Sequence, residues 1–170
     1  PPGTAQKKAI LKCGDCGLLY LADPQGESVL DELSRKNGRC GVSRLYIQKQ
    51  TLQLKDYASM ERFIEERGSE PADILEVGCN VGALLDHLRK KGHRVKGVEP
   101  NQWCVEAARD TFGLEDIFPG TLSEAEYPSA SFDYIIMLHV IEHLPDPNVE
   151  LAEIHRLLRP GGAVVIETPT

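Results

Sequence analysis

The sequence predicts an α/β fold in which a mostly parallel sheet carries helices on both faces. From residue 72 onward, short apolar segments alternate with amphipathic helical segments, and turns rich in glycine or proline separate them. This alternation is typical of parallel strands joined by crossover helices. Residues 1–45 lack it. We therefore divide the chain into an N-terminal segment, 1–45, and a domain, 46–170, with a helical lead-in over 46–70 and a core over 72–170.

The composition is typical of a globular protein, because 41% of the 170 residues are apolar and 26% are charged. A net charge of −7 disfavours a nucleic-acid partner, since such partners are bound through clustered Lys and Arg. The sequence has no apolar run of the about 18 residues that a membrane span requires. Five cysteines, an odd number without framework spacing, favour the reducing cytoplasm.

The first predicted elements are a helix in the lead-in, a strand and a second helix. Apolar residues recur at helical spacing before the stop at Gly68 and Pro71; they are Leu52, Leu54, Tyr57, Met60, Phe63 and Ile64. Residues 74–77, which are apolar apart from Glu76, predict a buried strand. The next helix presents Leu84, Leu85 and Leu88 on one face and ends at Gly92.

The remaining elements follow the same alternation. A second strand over 95–99 precedes a helix that Asn101 caps and Gly113 ends. The last elements are a weak strand within 114–118, a strand over 132–138, a helix over 147–158, a turn at 159–162 and a strand over 163–167.

The turn after the first core strand is the predicted ligand site. In an open parallel sheet, ligands bind beyond the carboxyl ends of the strands, where the strand order reverses. Gly78 and Gly82 leave the backbone of this turn bare, and the following helix directs N–H groups at the same space. Glu99 ends the second strand and is expected beside the turn, where its carboxylate can accept hydrogen bonds from a ribose diol.

The same residues discriminate between cofactors. A dinucleotide fingerprint requires a glycine where this chain has Asn80, although Ala83 would fit its third position. Glu76, two residues before the first glycine, would repel a pyrophosphate and suits a cationic ligand. An NAD-dependent oxidoreductase is therefore disfavoured.

Residues 72–168 resemble the Rossmann-like, class I, S-adenosylmethionine-dependent methyltransferases. Four motifs carry the resemblance in order; they are the bend from Glu76 to Gly82, Glu99 at the second strand end, residues 132–136 with 139–146, and residues 157–162. Asn80 replaces the usual central glycine of the bend, and Asn tolerates left-handed backbone. The resemblance implies S-adenosylmethionine as cofactor and two further strands after the fifth.

The resemblance also implies a role for each matched position. The bend, with Gly78, Cys79, Asn80 and Gly82, would hold the methionine part of the cofactor. Glu99 would bind the ribose hydroxyls, and Pro100 with Asn101 would line the adenine side. The remaining implied contacts are Thr121 and Leu122 at the adenine amine and Leu138 and His139 beneath the methionine part. Thr121 departs from the acidic residue that is usual there.

Three interpretations remain open for His139, Glu142 and His143, which follow the strand over 132–138. The last two can be capping or supporting residues of the site. His143 or His139 can be a general base, which is needed when the acceptor is not already nucleophilic. A helical segment would also place His139 and His143 on one face at i, i+4, where with Glu142 they could hold a divalent metal.

The N-terminal segment resembles half of a zinc ribbon. Cys13 and Cys16 have the spacing of one knuckle, which supplies two of the four zinc ligands, and Cys40 is a possible third. Similar ribbons precede some methyltransferases that act on small molecules, such as sugars. We therefore predict a small-molecule acceptor, such as a sugar or a quinone; the alternatives are an RNA methyltransferase and a methyltransferase-like binding module without catalysis.

Overall fold

The structure is a computed structural model that describes residues 10–12, 19–21, 47–48, 51, 58–68 and 71–168. Its strands are β1 (Ile10–Lys12), β2 (Leu19–Leu21), β3 (Asp73–Val77), β4 (Arg94–Val98), β5 (Ile117–Phe118), β6 (Phe132–Leu138) and β7 (Leu158–Glu167). Its α-helices are α1 (Ala58–Glu66), α2 (Ala83–Lys90), α3 (Gln102–Phe112) and α4 (Pro147–Leu157), and a 3-10 helix covers Ile141–His143. Among these residues, no helix has the length and apolar character to cross a membrane.

Five strands form one parallel sheet in the order β5-β4-β3-β6-β7. The chain runs outward from β3 through β4 to β5, then crosses back to place β6 on the other side of β3. The strand order therefore reverses at β3, and the carboxyl ends of β3, β4 and β6 meet where a doubly wound sheet binds its ligands. The predicted fold class is confirmed.

Helices cover both faces of this sheet, as the alternation of apolar segments predicted. Leu75, Val77, Ile135 and Met137 face one way and pack with Ile154 and Leu157 of α4. Their neighbours face the other way, because successive strand residues point to opposite faces. That second layer includes Ile74, Tyr134 and Ile136 with Met60 and Ile64 of α1 and Leu84 and Leu88 of α2.

The two residues predicted to bound helix α3, Asn101 at its start and Gly113 at its end, do so in the structure. The Asn101 side chain accepts a hydrogen bond from the Trp103 N–H at 3.0 Å, and Gly113 adopts the left-handed conformation after α3. Asp146, which the sequence analysis did not identify as a cap, begins α4 in the same way by accepting from the Asn148 N–H at 3.0 Å.

The predicted turn at 159–162 is wrong, because β7 already begins at Leu158. The pairing passes from Phe132 opposite Leu158 directly to Tyr134 opposite Ala163, so residues 159–162 bulge out of the ladder. Gly161, with φ +84°, supplies the left-handed conformation that this bulge contains. The turn-forming residues thus shape an irregular strand start.

Charged side chains join the strands at the amino-terminal edge of the sheet. Asp73 accepts from Arg94 Nε at 2.6 Å and from Arg159 Nη1 at 2.7 Å. Asp133 accepts from the Asp73 N–H and from Arg159 Nη1, both at 2.8 Å. These four side chains link β3, β4, β6 and β7 at the edge opposite the predicted ligand site.

In the N-terminal segment, β1 pairs antiparallel with β2, with Ile10 opposite Leu21. Cys13 and Cys16 fall in the connection between the two strands and, like Cys40, lie outside the described residues.

Candidate functional site

The bend over residues 78–82 lies against the end of β4. The N–H groups of Gly78 and Cys79 both donate to the Val98 carbonyl oxygen, at 2.8 and 3.1 Å. Gly78, Asn80 and Gly82 have φ values of +72°, +52° and +73°, so the chain reverses through three left-handed residues. The predicted tolerance of Asn80 for this conformation is confirmed.

At both glycines of the bend, the place where a Cβ would stand faces another part of the protein. A Cβ on Gly78 would lie 2.4 Å from Val140 Cγ2, and a Cβ on Gly82 would lie 2.6 Å from Leu114 Cδ1. Our expectation that these positions lack side chains to admit a ligand therefore needs correction. The absence of a side chain on Gly78 leaves room for Val140 of the segment after β6. The absence of a side chain on Gly82 leaves room for Leu114, which follows α3.

Glu99 lies at the bend, as the sequence predicted. One carboxylate oxygen accepts from the Asn80 N–H and the other from the Asn101 N–H, both at 2.8 Å. The residue is 9% exposed. Burial raises the pKa of this carboxyl group, and the hydrogen bonds from Asn101 and Asn80 oppose that rise. Each oxygen retains a further lone pair for a ligand donor.

Glu76 is a second buried carboxyl group beside the bend, and it lacks the hydrogen bonds that Glu99 receives. It is 6% exposed, and within the described part of the chain its Oε2 atom has no hydrogen-bond partner. Burial, and then the neighbouring charge of Glu99, raise its pKa well above the ordinary value. An unpaired buried carboxyl oxygen is costly to keep, so it indicates a ligand group that would pair with it.

Two free thiols adjoin these carboxyl groups. Burial raises the pKa of Cys79 well above its ordinary value and that of Cys104 to about 12. Cys79 packs with Leu85 and Val105, and Cys104 packs with Val81. Neutral thiols in apolar surroundings act as packing groups.

The residues expected at the adenine end lie beside the backbone of Glu99. The Gly120 N–H donates to the Glu99 carbonyl oxygen at 3.2 Å. This bond brings the start of the following segment to the space beyond the ends of β3 and β4, which we call the crevice. The Thr121 hydroxyl and N–H both bind Glu124 Oε2 at 2.7 Å. Leu122 has its side chain in the main core, whereas Pro100 is half-buried at the end of β4.

The segment after β6 differs from the helical arrangement considered above. His139 has φ +55°, and only residues Ile141–His143 form a short 3-10 helix. The i, i+4 helix face for His139 and His143 is therefore wrong. A non-glycine residue in this conformation is strained, and such strain is concentrated at functional sites.

Two carboxylates and two imidazoles are close together in this segment. His139 Nε2 is 3.4 Å from Glu167 Oε1, and its Nδ1 is 3.9 Å from Glu142 Oε1. His143 Nε2 is 4.0 Å from that same oxygen of Glu142. The His139 N–H also donates to the Glu167 carbonyl oxygen at 2.8 Å. Sequence reasoning missed Glu167, because only the pairing of β6 with β7 brings it beside His139.

In the part of the chain that the structure describes, no three His, Cys, Asp or Glu side chains are placed so that they could hold a metal ion together. The arrangement considered for His139, Glu142 and His143 therefore has no support as a metal site. Zinc likewise finds no support, and its candidate ligands Cys13 and Cys16 lie outside the described ranges.

The residues of the crevice fit a cationic nucleoside. Glu99 offers two carboxylate oxygens to hydroxyl donors, and Glu76 offers a buried oxygen in need of a partner. The first turn of α2 begins at Ala83, directly after the bend, and leaves N–H groups at the same end of the sheet. The residues that the resemblance assigned to the methionine and ribose parts, from Glu76 to Gly82 and at Glu99, thus lie together.

The family described as "Methyltransferase domain" matches residues 47–170. The chain is 37% identical over 97 residues to a probable S-adenosylmethionine-dependent methyltransferase of Mycolicibacterium smegmatis, covering 57% of this chain and 38% of that protein. It is 33% identical over 113 residues to the ubiquinone biosynthesis O-methyltransferase of Hahella chejuensis, covering 62% and 47%. The matched part thus spans less than half the length of these relatives.

A solved structure gives the same picture. The chain is similar to the crystal structure of a TehB-like SAM-dependent methyltransferase from Corynebacterium glutamicum, with 26% identity and a TM-score of 0.55. The similarity covers 73% of each chain.

Proposed function

This chain belongs to the methyltransferase-domain family, and from that premise we propose that it binds S-adenosylmethionine and transfers the methyl group to a small-molecule acceptor. The observation that carries the proposal is the contact of Glu99 with the bend, where its carboxylate accepts from the Asn80 N–H. Two neighbouring strand ends thereby bring one carboxylate and the bend over 78–82 together, and we propose that one ligand contacts both.

We assign the parts of the crevice as follows. Glu99 accepts hydrogen bonds from the ribose hydroxyls, and Glu76 offsets the positive charge of the methionine part. The methionine part lies along the bend with Gly78, Cys79, Asn80 and Gly82, above Leu138 and His139. The adenine lies between Pro100 with Asn101 and the segment that begins at Thr121 and Leu122.

A small hydroxyl-bearing molecule is the acceptor that we propose. The relative from Hahella chejuensis is named as an O-methyltransferase of ubiquinone biosynthesis, which supports an oxygen acceptor. An RNA acceptor is disfavoured by the net charge of −7. The remaining alternative is a binding module without catalysis, and the measurement of methyl transfer described below separates it from an enzyme. The reducing cytoplasm suits the free thiols of Cys79 and Cys104.

The chain's own residues have two tasks in such a reaction. The bound cofactor supplies an activated methyl group, and alignment of the acceptor with that group provides much of the rate. A hydroxyl acceptor also loses a proton as its oxygen is methylated. We propose His143 or His139 as the group that takes this proton, because both imidazoles lie at the carboxyl end of β6 and are about half exposed.

Calorimetric titration of the chain tests the cofactor assignment. We expect micromolar binding of S-adenosylmethionine and S-adenosylhomocysteine and no binding of NAD. Glu99→Ala should weaken the binding of S-adenosylhomocysteine by about 1–3 kcal/mol, because ribose hydroxyls would lose their acceptor. Glu115→Ala, at an exposed residue beyond α3, is the matched control and should bind as the parent does.

Glu99 also holds the bend in place through its hydrogen bond from Asn80, so Glu99→Ala could weaken binding without any ribose contact. A ligand that lacks a ribose hydroxyl separates the loss of that contact from the loss of the bend's conformation. S-(2′-deoxyadenosyl)homocysteine lacks one ribose hydroxyl and should bind the parent more weakly than S-adenosylhomocysteine. The two ligands should bind Glu99→Ala equally. The ribose assignment is wrong if Glu99→Ala binds as tightly as the parent, or if it still distinguishes the two ligands.

The proton acceptor is tested with the whole protein and hydroxyl acceptors such as 3,4-dihydroxybenzoate. Replacing the imidazole that acts as base, by His143→Gln or His139→Gln, should lower the rate of methyl transfer by about 10²–10⁴ near neutral pH. Part of the rate should return at high pH, where the acceptor ionises without help. His155→Gln on α4 is the control, and parental rates in both test variants would exclude an imidazole base.

A further inference from the structure

We infer that cofactor binding displaces a proton from Glu76. The inference deepens the proposed function and rests on it, because it concerns the ammonium group of the cofactor's amino-acid part. It rests on the burial of Glu76, on its missing hydrogen-bond partner and on the contrast with Glu99.

Glu76 lies deep in the sheet, one residue before the end of β3. In the ladder it is flanked by Gly97 of β4 and Ile136 of β6. Its side chain is almost fully buried, and Oε2 has no partner within the described ranges. An ionised carboxylate without hydrogen bonds is unfavourable in such surroundings, whereas the protonated acid is far less costly.

The two neighbouring carboxyl groups differ in their donors. Glu99 receives one backbone N–H on each oxygen, from Asn80 and from Asn101. Glu76 has an oxygen that receives none. When two close carboxyl groups compete, the charge goes to the group with hydrogen-bond donors and the proton remains on the other. The structure therefore assigns the charge to Glu99 and the proton to Glu76.

The groups that face Glu76 reinforce this assignment. Burial raises the pKa of Glu76, and the charge of Glu99, which follows β4, raises it further. The Cys79 thiol of the bend is the other titratable neighbour, and its own raised pKa keeps it neutral. Among the described residues, no Lys, Arg or His contributes to the shift at Glu76. None of the described residues therefore supplies a cation that an ionised Glu76 would pair with.

A primary ammonium group supplies that cation. As it enters, the Glu76 carboxylic acid releases its proton to solvent, and the resulting carboxylate pairs with the ammonium. The O–H bond of the acid breaks, its electron pair stays on oxygen, and the ligand keeps all of its protons. One proton thus leaves for each ligand bound, and affinity rises with pH while Glu76 is protonated in the free protein.

Calorimetry in buffers of different ionisation enthalpy measures this proton directly. At about pH 7, titration of the chain with S-adenosylhomocysteine should release close to one proton per ligand, by linkage. 5′-Methylthioadenosine carries the same nucleoside and thioether but no ammonium group, so it should bind without releasing a proton. The two ligands together isolate the amino-acid part.

Two variants locate the proton. Glu76→Gln, of nearly the same shape, should still bind 5′-methylthioadenosine but should release no proton with S-adenosylhomocysteine. Glu150→Gln removes another carboxyl group with a burial-raised pKa, on α4, and should leave the release unchanged. Binding of S-adenosylhomocysteine without a buffer-dependent heat overturns this inference alone, and so does release that persists in Glu76→Gln. Absence of S-adenosylhomocysteine binding overturns the proposed function and this inference with it.

Discussion

Gly78 occupies a position where one added carbon would push two parts of the site apart. Val140 Cγ2 lies 2.4 Å from the place of the missing Cβ, and Val140 is itself packed against the main core. The bend and the segment that carries His139 therefore meet at this contact. Because Val140 is packed against the core, Gly78 permits the close approach of the bend to the segment that carries the predicted proton acceptors.

A double substitution tests this packing. Gly78→Ala should lower the free energy of unfolding through left-handed strain of about 1–2 kcal/mol and overpacking of about 1–3 kcal/mol. In the Val140→Ala background the overpacking part should disappear, because the clashing methyl group is gone. Urea unfolding of the four proteins gives the coupling between the sites.

Gly113 provides the control for that experiment. It has φ +64°, yet a Cβ placed there meets nothing within 4 Å. Gly113→Ala should therefore cost only the backbone strain, and Val140→Ala should not change that cost. An equal cost of Gly78→Ala with and without Val140 would show that steric contact is not the reason for this glycine.

Sequence reasoning reached Glu76, Gly78 and Glu99 because each stands at a strand end, and strand ends are visible in the pattern of apolar residues. It could not reach Val140 or Glu167. Their partners, Gly78 and His139, are distant in the chain, and ordinary valine and glutamate residues carry no local signal. The contacts that give these residues a role come from the folded topology.

At the scale of elements, strand ends are held by charge at one edge of the sheet and by the bend at the other. Hydrogen bonding to Arg94, and then to Arg159, lowers the pKa of Asp73 to about 2. The folded-state value lies below the ordinary 3.8, so the stabilisation is present above that ordinary value. It is lost as the pH falls toward 2.

Asp73→Asn should consequently lower the free energy of unfolding by about 1 kcal/mol near neutral pH, a modest value because the arginine partners are exposed to solvent. The deficit should shrink as the pH falls toward 2 and in high salt. Urea unfolding over this pH range measures it, with Asp110→Asn, at an exposed residue of α3, as the control. A deficit that stays constant with pH would contradict an ionic origin.

The bounds of an element could be predicted where they depend on nearby residues. The predictions were wrong where pairing with a distant strand determines the bounds. Asn101 and Gly113 act within a few residues of α3, and the predicted bounds of that helix follow from them. The predicted start of β7 was wrong, because Leu158 pairs with Phe132 of β6 and the turn-forming residues 159–162 form a bulge within the strand. The prediction that His139 and His143 share a helix face was wrong, because the left-handed backbone of His139 interrupts the helix.

At the scale of the molecule, the alternation of apolar segments and helices was sufficient to predict the sheet and its two helical layers. The carboxyl ends of β3, β4 and β6, where we propose the ligand site, could be placed together from the sequence because parallel strands end at the same edge. The character of this site is acidic, with two buried carboxyl groups and, among the described residues, no cation contributing to the shifted pKa of either. These two carboxyl groups are the reason that we propose a positively charged ligand and disfavour a phosphate.

The bracing hydrogen bonds of Glu99 have an evolutionary consequence. Because the same carboxylate holds Asn80 and Asn101 in place, its loss would harm the architecture even in a descendant that no longer turned over any substrate. Selection for folding alone would then preserve it. A glutamate at this position in a homologue is accordingly a sign of intact scaffolding, and a lineage could abandon catalysis while its sequence still looked like that of an enzyme.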